Sequence, residues 1–511
     1  MRIRAEIVLL VLVLTIGAFY WNVTLKAPIA FGDEGFYSSM AERMLSDGII
    51  PKWNVVHSTD IFRFTFARPP VFFMVNMAAL ALGGEFLLKL LLPLPILLSS
   101  VMLFLLLRRF EKPVAGIAAA VALLLIPGMV TYGVLNYVET LSILFITLSL
   151  YFADAAFRKG DKKGAIFAGI FAGLALLTEV SAFWLLPILV GYALLVRPLR
   201  LRQLLVVLGI AALFLSPWLA RNILLLGGHC YIPAMPDLPG ACQSVLDVTL
   251  ETGAPEAASP ASGVGLNLSQ LGIISYASFA FGWSVAAVFM FGLASMIVPS
   301  KARLLTGLWL LAFFAMTLIQ LNAGRVEDTV RNTLFGFPAL AMSIGLFASS
   351  AYAWLAAKKR WIALILVGFL LVTLVPYGYE KIVTMQGVKH NLDGLVDACG
   401  WVRSNTPTDS IIYVIYEHPA AWNCRRSAVS VVPDRTIIHS GQDANASYSH
   451  LKLHGFDYVI IEQFTISNTP YGDATPVAFV NMLESNTDKF KKVYDNTARW
   501  GQAGVRVYQV L

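Results

Sequence analysis

Two adjacent acids, Asp33 and Glu34, follow the first long apolar segment in the run Ala30-Phe31-Gly32-Asp33-Glu34-Gly35-Phe36-Tyr37. Carboxylates held at a membrane lip can take a proton from an acceptor hydroxyl, orient that acceptor, or simply cap a helix, because acids favour a first helical turn. After them, Ser38 to Gly48 places Met40, Ala41, Met44 and Leu45 on one side and Glu42, Arg43 and Asp47 on the other. That is the pattern of an amphipathic helix lying in the interface. The loop closes on Arg63-Phe64-Thr65-Phe66-Ala67-Arg68-Pro69-Pro70. A cation fixed by a double proline at this depth suits a lipid-linked phosphate, and Arg68 is the expected ligand; a snorkelling arginine on ordinary headgroups is the alternative. Further polar residues near hydrocarbon are Glu139, Glu179, the run Ser216-Pro217-Trp218-Leu219-Ala220-Arg221-Asn222, and the group Glu327, Asp328 and Arg331. Ionisable residues so placed are expensive and need a partner or a task, so Glu139 or Glu179 is expected to pair with Arg221 or Arg331.

The elements that must carry these residues are membrane helices. Hydrophobic residues make up 57% of the 511 and charged ones only 14%, and the mean hydropathy is +0.69, which excludes a soluble globular fold. The formal charge of +7 fits cytoplasmic loop ends and headgroup contacts rather than nucleic acid. Arg2 to Leu25 is too long for a signal-peptide core and lacks a small-residue cleavage site, so it reads as a retained helix. Apolar stretches follow at about 86–108, 114–131, 137–157, 164–178, 180–197, 203–225, 271–298, 304–322, 331–356 and 361–378. Basic clusters lie at Arg2/Arg4, Arg108-Arg109-Lys112, Arg158-Lys159-Lys162-Lys163, Arg197-Arg200-Arg202, Lys301-Arg303 and Lys358-Lys359-Arg360. All fall on the cytoplasmic side only if Pro69 to Gly84 is interfacial or re-entrant. The expectation is therefore about eleven spans in a mainly α polytopic bundle, with the N-terminus in the cytoplasm of a plasma-membrane protein. Outer loops then cover 26–85 and 226–270.

This membrane domain covers 1–379, and residues 380–511 read as a small extracytoplasmic α/β domain. Helical stretches Asn391 to Ser404 and Ser447 to His454 alternate there with β-rich runs Ile411 to Tyr416, Tyr458 to Glu462 and Val505 to Val510. The four cysteines, Cys230, Cys242, Cys399 and Cys424, all land outside. Cys230 with Cys242 and Cys399 with Cys424 are candidate disulfides, with free thiols as the alternative.

Asp-Glu-x-x-Tyr at Asp33 to Tyr37, Ala-Glu-Arg-Met-Leu-x-x-Gly at Ala41 to Gly48, and a basic residue before Pro69-Pro70 together resemble the GT-C glycosyltransferases that use polyprenyl-phosphate sugars. Within that group the chain is similar to the protein mannosyltransferase and aminoarabinose transferase branch, glycosyltransferase families 39 and 83. Gly169 to Thr178, Pro217-Trp218 with Arg221-Asn222 and Gly227, and Arg331 to Leu340 extend the resemblance over roughly residues 1 to 350. It implies an inverting, mannosyltransferase-like hexosyl- or pentosyltransferase with Asp33 as base and Glu34 positioning it or the acceptor. Arg68, Arg221 and Arg331 then face a polyprenyl- or dolichyl-phosphate donor, and Tyr37, Glu139, Glu179 and Asn222 complete the substrate site. The departures are Thr178-Glu179 in place of Thr-Lys, Glu139-Thr140 in place of Asp-Pro, and Asn332 in place of the second aromatic. No Trp-Trp-Asp motif supports a likeness to oligosaccharyltransferases.

The chemistry agrees with the residues. Transfer from a lipid phosphate to a hydroxyl of a protein, lipid or glycan needs one base and one cation for the leaving phosphate. No cofactor is demanded, although Asp33, Glu139 and His229 could surround a divalent metal. A polyisoprenoid-linked glycan flippase is the competing reading, but it should line its pathway with charge, and the middles of the spans here hold almost none.

Overall fold

In the computed structural model of the chain, residues 5–29, 32–47, 69–111, 113–196, 198–226, 302–322, 326–356, 375–390, 392–414, 417–429, 444–453, 455–463 and 476–511 are described. The expected span at 271–298, the expected span at 361–378 up to residue 374, the loop at 226–270 beyond residue 226, and Arg68, His229, Cys230 and Cys242 lie outside the described residues.

The chain is a polytopic membrane protein built on a helix bundle. Helix α1 (Ala5–Lys26) leads to the amphipathic α2 (Glu34–Asp47), α3 (Val71–Leu91) and α4 (Leu94–Arg108). Next come α5 (Pro113–Leu125), α6 (Pro127–Gly133), α7 (Val138–Lys159), α8 (Lys162–Leu176), α9 (Leu185–Leu195) and α10 (Leu201–Leu226). The bundle closes with α11 (Arg303–Asn322), α12 (Val326–Thr333), α13 (Phe337–Ala356) and α14 (Val375–His390). Six of the described helical segments are long and apolar enough to cross a bilayer, or seven if α5 and α6, bent by 64°, form one broken span. The stretches expected at 164–178 and 180–197 are shorter. Gly160 in the left-handed region ends α7, and the Asp161 side chain caps α8 by accepting from the backbone N–H of Lys163.

Length and composition alone would let α3 cross, but Gly83 and Gly84 leave helical angles inside it, Gly84 with φ +62°. Leu92 and Pro93 keep helical angles, so the piece after Gly84 continues toward α4. The backbone thus divides at residue 84, where the segment Pro69 to Gly84 was expected to end.

Small residues let the bundle close. A Cβ on Gly345 of α13 would collide with the carbonyl oxygen of Ala115 in the alanine-rich α5, and Gly116 faces the backbone of Phe104. Without water to expel, close backbone approach is what binds such helices. The helix α14 runs unbroken through residue 380, and its Ile382 and Met385 belong to the bundle core. The bundle helix therefore runs on to His390, past the boundary expected at 380, and the sheet-bearing part of the chain follows it.

That domain contains α15 (Asp393–Asn405), β1 (Ile411–Val414), α16 (Glu417–Cys424), β2 (Ser427–Val429), α17 (Ala444–Leu453) and β3 (Tyr458–Glu462), then α18 (Pro476–Ser485), β4 (Phe490–Asp495), α19 (Thr497–Trp500) and β5 (Val505–Val510). The sheet order is β2-β1-β3-β5-β4. β1 runs parallel to β2 and β3, while β5 is antiparallel to β3 and β4. Every residue of β3 is buried because both faces are covered: Val459 and Ile461 join Tyr413, Phe479 and Leu483, and Ile460 joins Ile412, Leu395 and Val402. A disulfide between Cys399 and Cys424 ties α15 to α16.

Because α13 directly follows the segment bearing Arg331, its seating against α5 also places that arginine. Gly345→Val should overpack this contact and destabilise the protein by about 1–3 kcal/mol, read as a lower melting temperature in detergent, whereas Gly209→Ala, where an added Cβ meets nothing within 4 Å, should leave it unchanged.

Candidate active site

The site is assembled where α2 begins. Gly32 turns the chain with φ +49°, and a Cβ there would collide with the Tyr137 hydroxyl. That hydroxyl accepts from the backbone N–H of Asp33 at 3.1 Å. The Asp33 carbonyl accepts from the N–H of Tyr37 at 3.0 Å, so the Asp33 backbone starts α2 while its side chain turns elsewhere. Glu34 is fully buried, and its carboxylate accepts from the backbone N–H of Asn136 at 2.9 Å. The Asn136 amide donates to Ser38 at 2.9 Å and accepts from Asn76 of α3 at 3.1 Å. One asparagine thus fastens α2, α3 and the entry to α7 in a place without water, where each polar group must be satisfied internally.

Arg331 completes the site. Its guanidinium donates to Asp33 Oδ2 at 2.6 Å, to the Tyr37 hydroxyl at 2.7 Å, and through Nε to Glu139. Its centre also lies 4.8 Å from the middle of the Tyr137 ring. A planar fork with five N–H groups can serve three partners at once; a lysine could not hold this geometry. Glu139 Oε2 is buried without a hydrogen-bond partner, although the side chain is only 5% exposed. An orphan carboxylate oxygen beside a paired one is ready to accept from a ligand hydroxyl. Beside the network lies a small, largely apolar pocket whose lining includes Phe72, Asn76, Ala79, Leu88, Tyr137 and Leu141.

Five of the residues read from the sequence, Asp33, Glu34, Tyr37, Glu139 and Arg331, therefore converge. Of the expected pairings, Glu139 with Arg331 forms. Glu179 accepts from the backbone N–H of Val180, as a cap. Glu34, expected to position Asp33 or the acceptor, is buried next to Asp33 in the chain and anchors the backbone at Asn136. The side chains of Asn222, Glu327 and Asp328 lie outside the described residues. Among the described residues, no group of three or more His, Cys, Asp or Glu could hold a metal ion. Asn76, Asn136 and Tyr137 were missed. Asn76 was visible as an amide inside an apolar helix, and Asn136-Tyr137 as polar residues just ahead of Glu139.

Comparison with known proteins starts from this geometry. The family described as dolichyl-phosphate-mannose-protein mannosyltransferase matches residues 67–220. No curated protein sequence matches the chain. Among solved structures, ArnT from Cupriavidus metallidurans in the apo state superimposes with a TM-score of 0.67 at 15% identity, covering 99% of this chain and 98% of that one. The chain has the GT-C fold. The same ArnT bound to undecaprenyl phosphate gives a TM-score of 0.64 at 14% identity, over 98% of this chain and 97% of that one. The Archaeoglobus fulgidus oligosaccharyltransferase in its apo form gives 0.57 at 15% identity, covering 89% of this chain and 70% of that one. The chain lacks the Trp-Trp-Asp motif, and its likeness to this oligosaccharyltransferase is one of fold alone.

Removing Arg331 leaves two carboxylates facing each other without their cation. Arg331→Ala should cost roughly 3 kcal/mol, seen as a drop in melting temperature, and adding Glu139→Gln should recover part of it; equal losses in the single and double variants would contradict this pairing.

Proposed function

We propose that the chain is an integral membrane glycosyltransferase that moves a sugar from a polyprenyl-phosphate donor to a hydroxyl acceptor, with Asp33 as the base. The observation that carries this reading is the Arg331 guanidinium, which joins Asp33 to Glu139 beside an apolar pocket. The matched family and the undecaprenyl phosphate seen on ArnT support the class of donor. The sugar is a mannose-like hexose or a pentose, and the acceptor is a protein, lipid or glycan.

Each requirement of the reaction has a residue. The acceptor hydroxyl gives its proton to Asp33 as its oxygen bonds to the anomeric carbon. The bond from that carbon to the phosphate oxygen breaks, and the electron pair leaves on the polyprenyl phosphate. A phosphate leaves without a general acid if a cation meets its growing charge, and Arg331 supplies one, with Arg68 and Arg221 as further phosphate ligands. One carboxylate suffices for a single displacement, so the product is inverted. Arg331 also holds Asp33, which weakens it as a base. A donor phosphate that draws on the guanidinium releases Asp33 when it is needed. The orphan oxygen of Glu139 then accepts from a sugar hydroxyl, and Tyr37 borders the same space.

The charge distribution along α7 supports one side of the membrane. Its first turn carries Glu139 and its last carries Arg158 and Lys159, and the 20 residues from 139 to 159 rise about 30 Å at 1.5 Å per residue. At the far end Arg109 and Arg158 pair with buried Asp154, and Arg108 pairs with Glu6. By the rule that basic ends stay in the cytoplasm, that end and the N-terminus are cytoplasmic, and the Asp33 site with the C-terminal domain is extracytoplasmic.

In membranes supplied with a polyprenyl-phosphate sugar and a hydroxyl acceptor, Asp33→Asn should lower transfer by about 10²–10⁴-fold while polyprenyl phosphate still binds. Undiminished transfer would remove Asp33 as the base.

A further inference from the structure

We propose that the C-terminal domain positions Asp33 through a wedge formed by Trp422, Asn423 and Arg425, so that catalysis depends on a residue pair about 390 positions away from the base in sequence (423 against 33). The inference rests on the reading of Asp33 as base.

The wedge is the C-terminal turn of α16. Trp422 is 2% exposed and buried against Ile29, Ala79, Leu88 and Leu92. Ile29 is the last described residue before the turn that carries Asp33. Ala79 and Leu88 stand on either side of the Gly83-Gly84 break. One indole thus sits against both halves of the broken helix and the approach to the catalytic turn. Asn423 donates to the Ile29 carbonyl at 3.1 Å and to Pro419 at 2.9 Å. Arg425 stacks on the Trp422 ring at 3.8 Å and pairs with Glu42 of α2.

Two further features show that the wedge is held in place rather than incidental. Arg425 is the one non-glycine residue with positive φ among the described residues, at +54°. This is the left-handed position after a helix where glycine is favoured and a side chain is strained. Glycine would fit the backbone better but would lose the stacking and the ion pair. In addition, the disulfide from Cys424 to Cys399 fastens the wedge to α15, in the core of the sheet domain. The ion pair alone is half-exposed and weak; the buried indole, kept in place by the Arg425 guanidinium stacked on it, and the hydrogen bond to Ile29 do most of the holding. Ala79, Leu88 and Leu92 also line the apolar pocket, so the same wedge backs the space beside the base.

The test compares full-length wild-type, Trp422→Ala, Trp422→Phe and Arg425→Gly chains by hydrogen exchange and by transfer from a polyprenyl-phosphate sugar. Trp422→Ala should speed amide exchange across residues 32–47 and leave β5 protected. It should lower kcat by about 10- to 100-fold with donor KM unchanged, and Trp422→Phe should restore both. Arg425→Gly relieves the strained backbone, so the sheet domain stays at least as stable while exchange across 32–47 still rises. It serves as the arm that folds if Trp422→Ala does not. Unchanged exchange across 32–47 in these variants overturns the proposal, as does faster exchange with kcat unaltered. Absence of transfer by the wild-type chain instead overturns the reading of Asp33 as base, and the exchange arm then judges the wedge on its own.

Discussion

A guanidinium held at the lip of a membrane is the constraint around which this protein is organised. Arg331 is largely buried, and a buried cation is tolerated only where carboxylates and hydroxyls meet it in good geometry. Its partners come from far-apart parts of the chain: Asp33 and Tyr37 from the first loop, and Glu139 from the first turn of α7. Satisfying one charge therefore requires the start of α2, the head of α7 and the approach to α13 to converge. The glycines at 32, 116 and 345 are there because convergence at this distance leaves no room for a Cβ. The same charge suits the proposed chemistry, since a cation shared with Asp33 and offered to a phosphate would couple the two halves of a transfer reaction.

Around that charge a second network keeps the scaffold still. Glu34, Asn136, Ser38 and Asn76 have no charged partner among their described bonds, yet they fix α2 against α3 and α7. The two adjacent acids thus divide the labour. Asp33 faces the guanidinium at the mouth, and Glu34 is turned inward to hold a backbone amide. Alternation of neighbouring side chains around the first turn of a helix explains the division. Both networks meet the C-terminal domain at α2, whose outer side carries Glu42 against Arg425.

Much of this was legible in the sequence because membranes simplify the code. Apolar length and one-sided basic clusters implied the bundle and placed Asp33, Glu139 and Arg331 on a common face, and a charge near hydrocarbon requires a partner. The elements Tyr458 to Glu462 and Val505 to Val510 emerged as strands from their β-branched runs, and the pairing of Cys399 with Cys424 was one of two candidates. What could not be read was identity of contact. Either Glu139 or Glu179 could have met either Arg221 or Arg331, because their spacing does not encode which helices are neighbours. Glu34 looked catalytic because sequence does not say which of two adjacent acids turns inward. The boundary at 380 failed because Glu380 and Lys381 are polar while Ile382 and Met385, on the other side of the same helix, belong to the bundle. Trp422 carried no signal at all, since an indole in a soluble domain is normally a core residue.

Shared fold does not fix the chemistry, so the claim that one carboxylate serves as base in a single displacement needs its own evidence. The direct measurement is the anomeric configuration of the product, with mass analysis of the protein during a single turnover of a polyprenyl-phosphate sugar of known configuration. The account predicts an inverted product and a chain of unchanged mass. A retained configuration with a glycosyl adduct on Asp33 would contradict it.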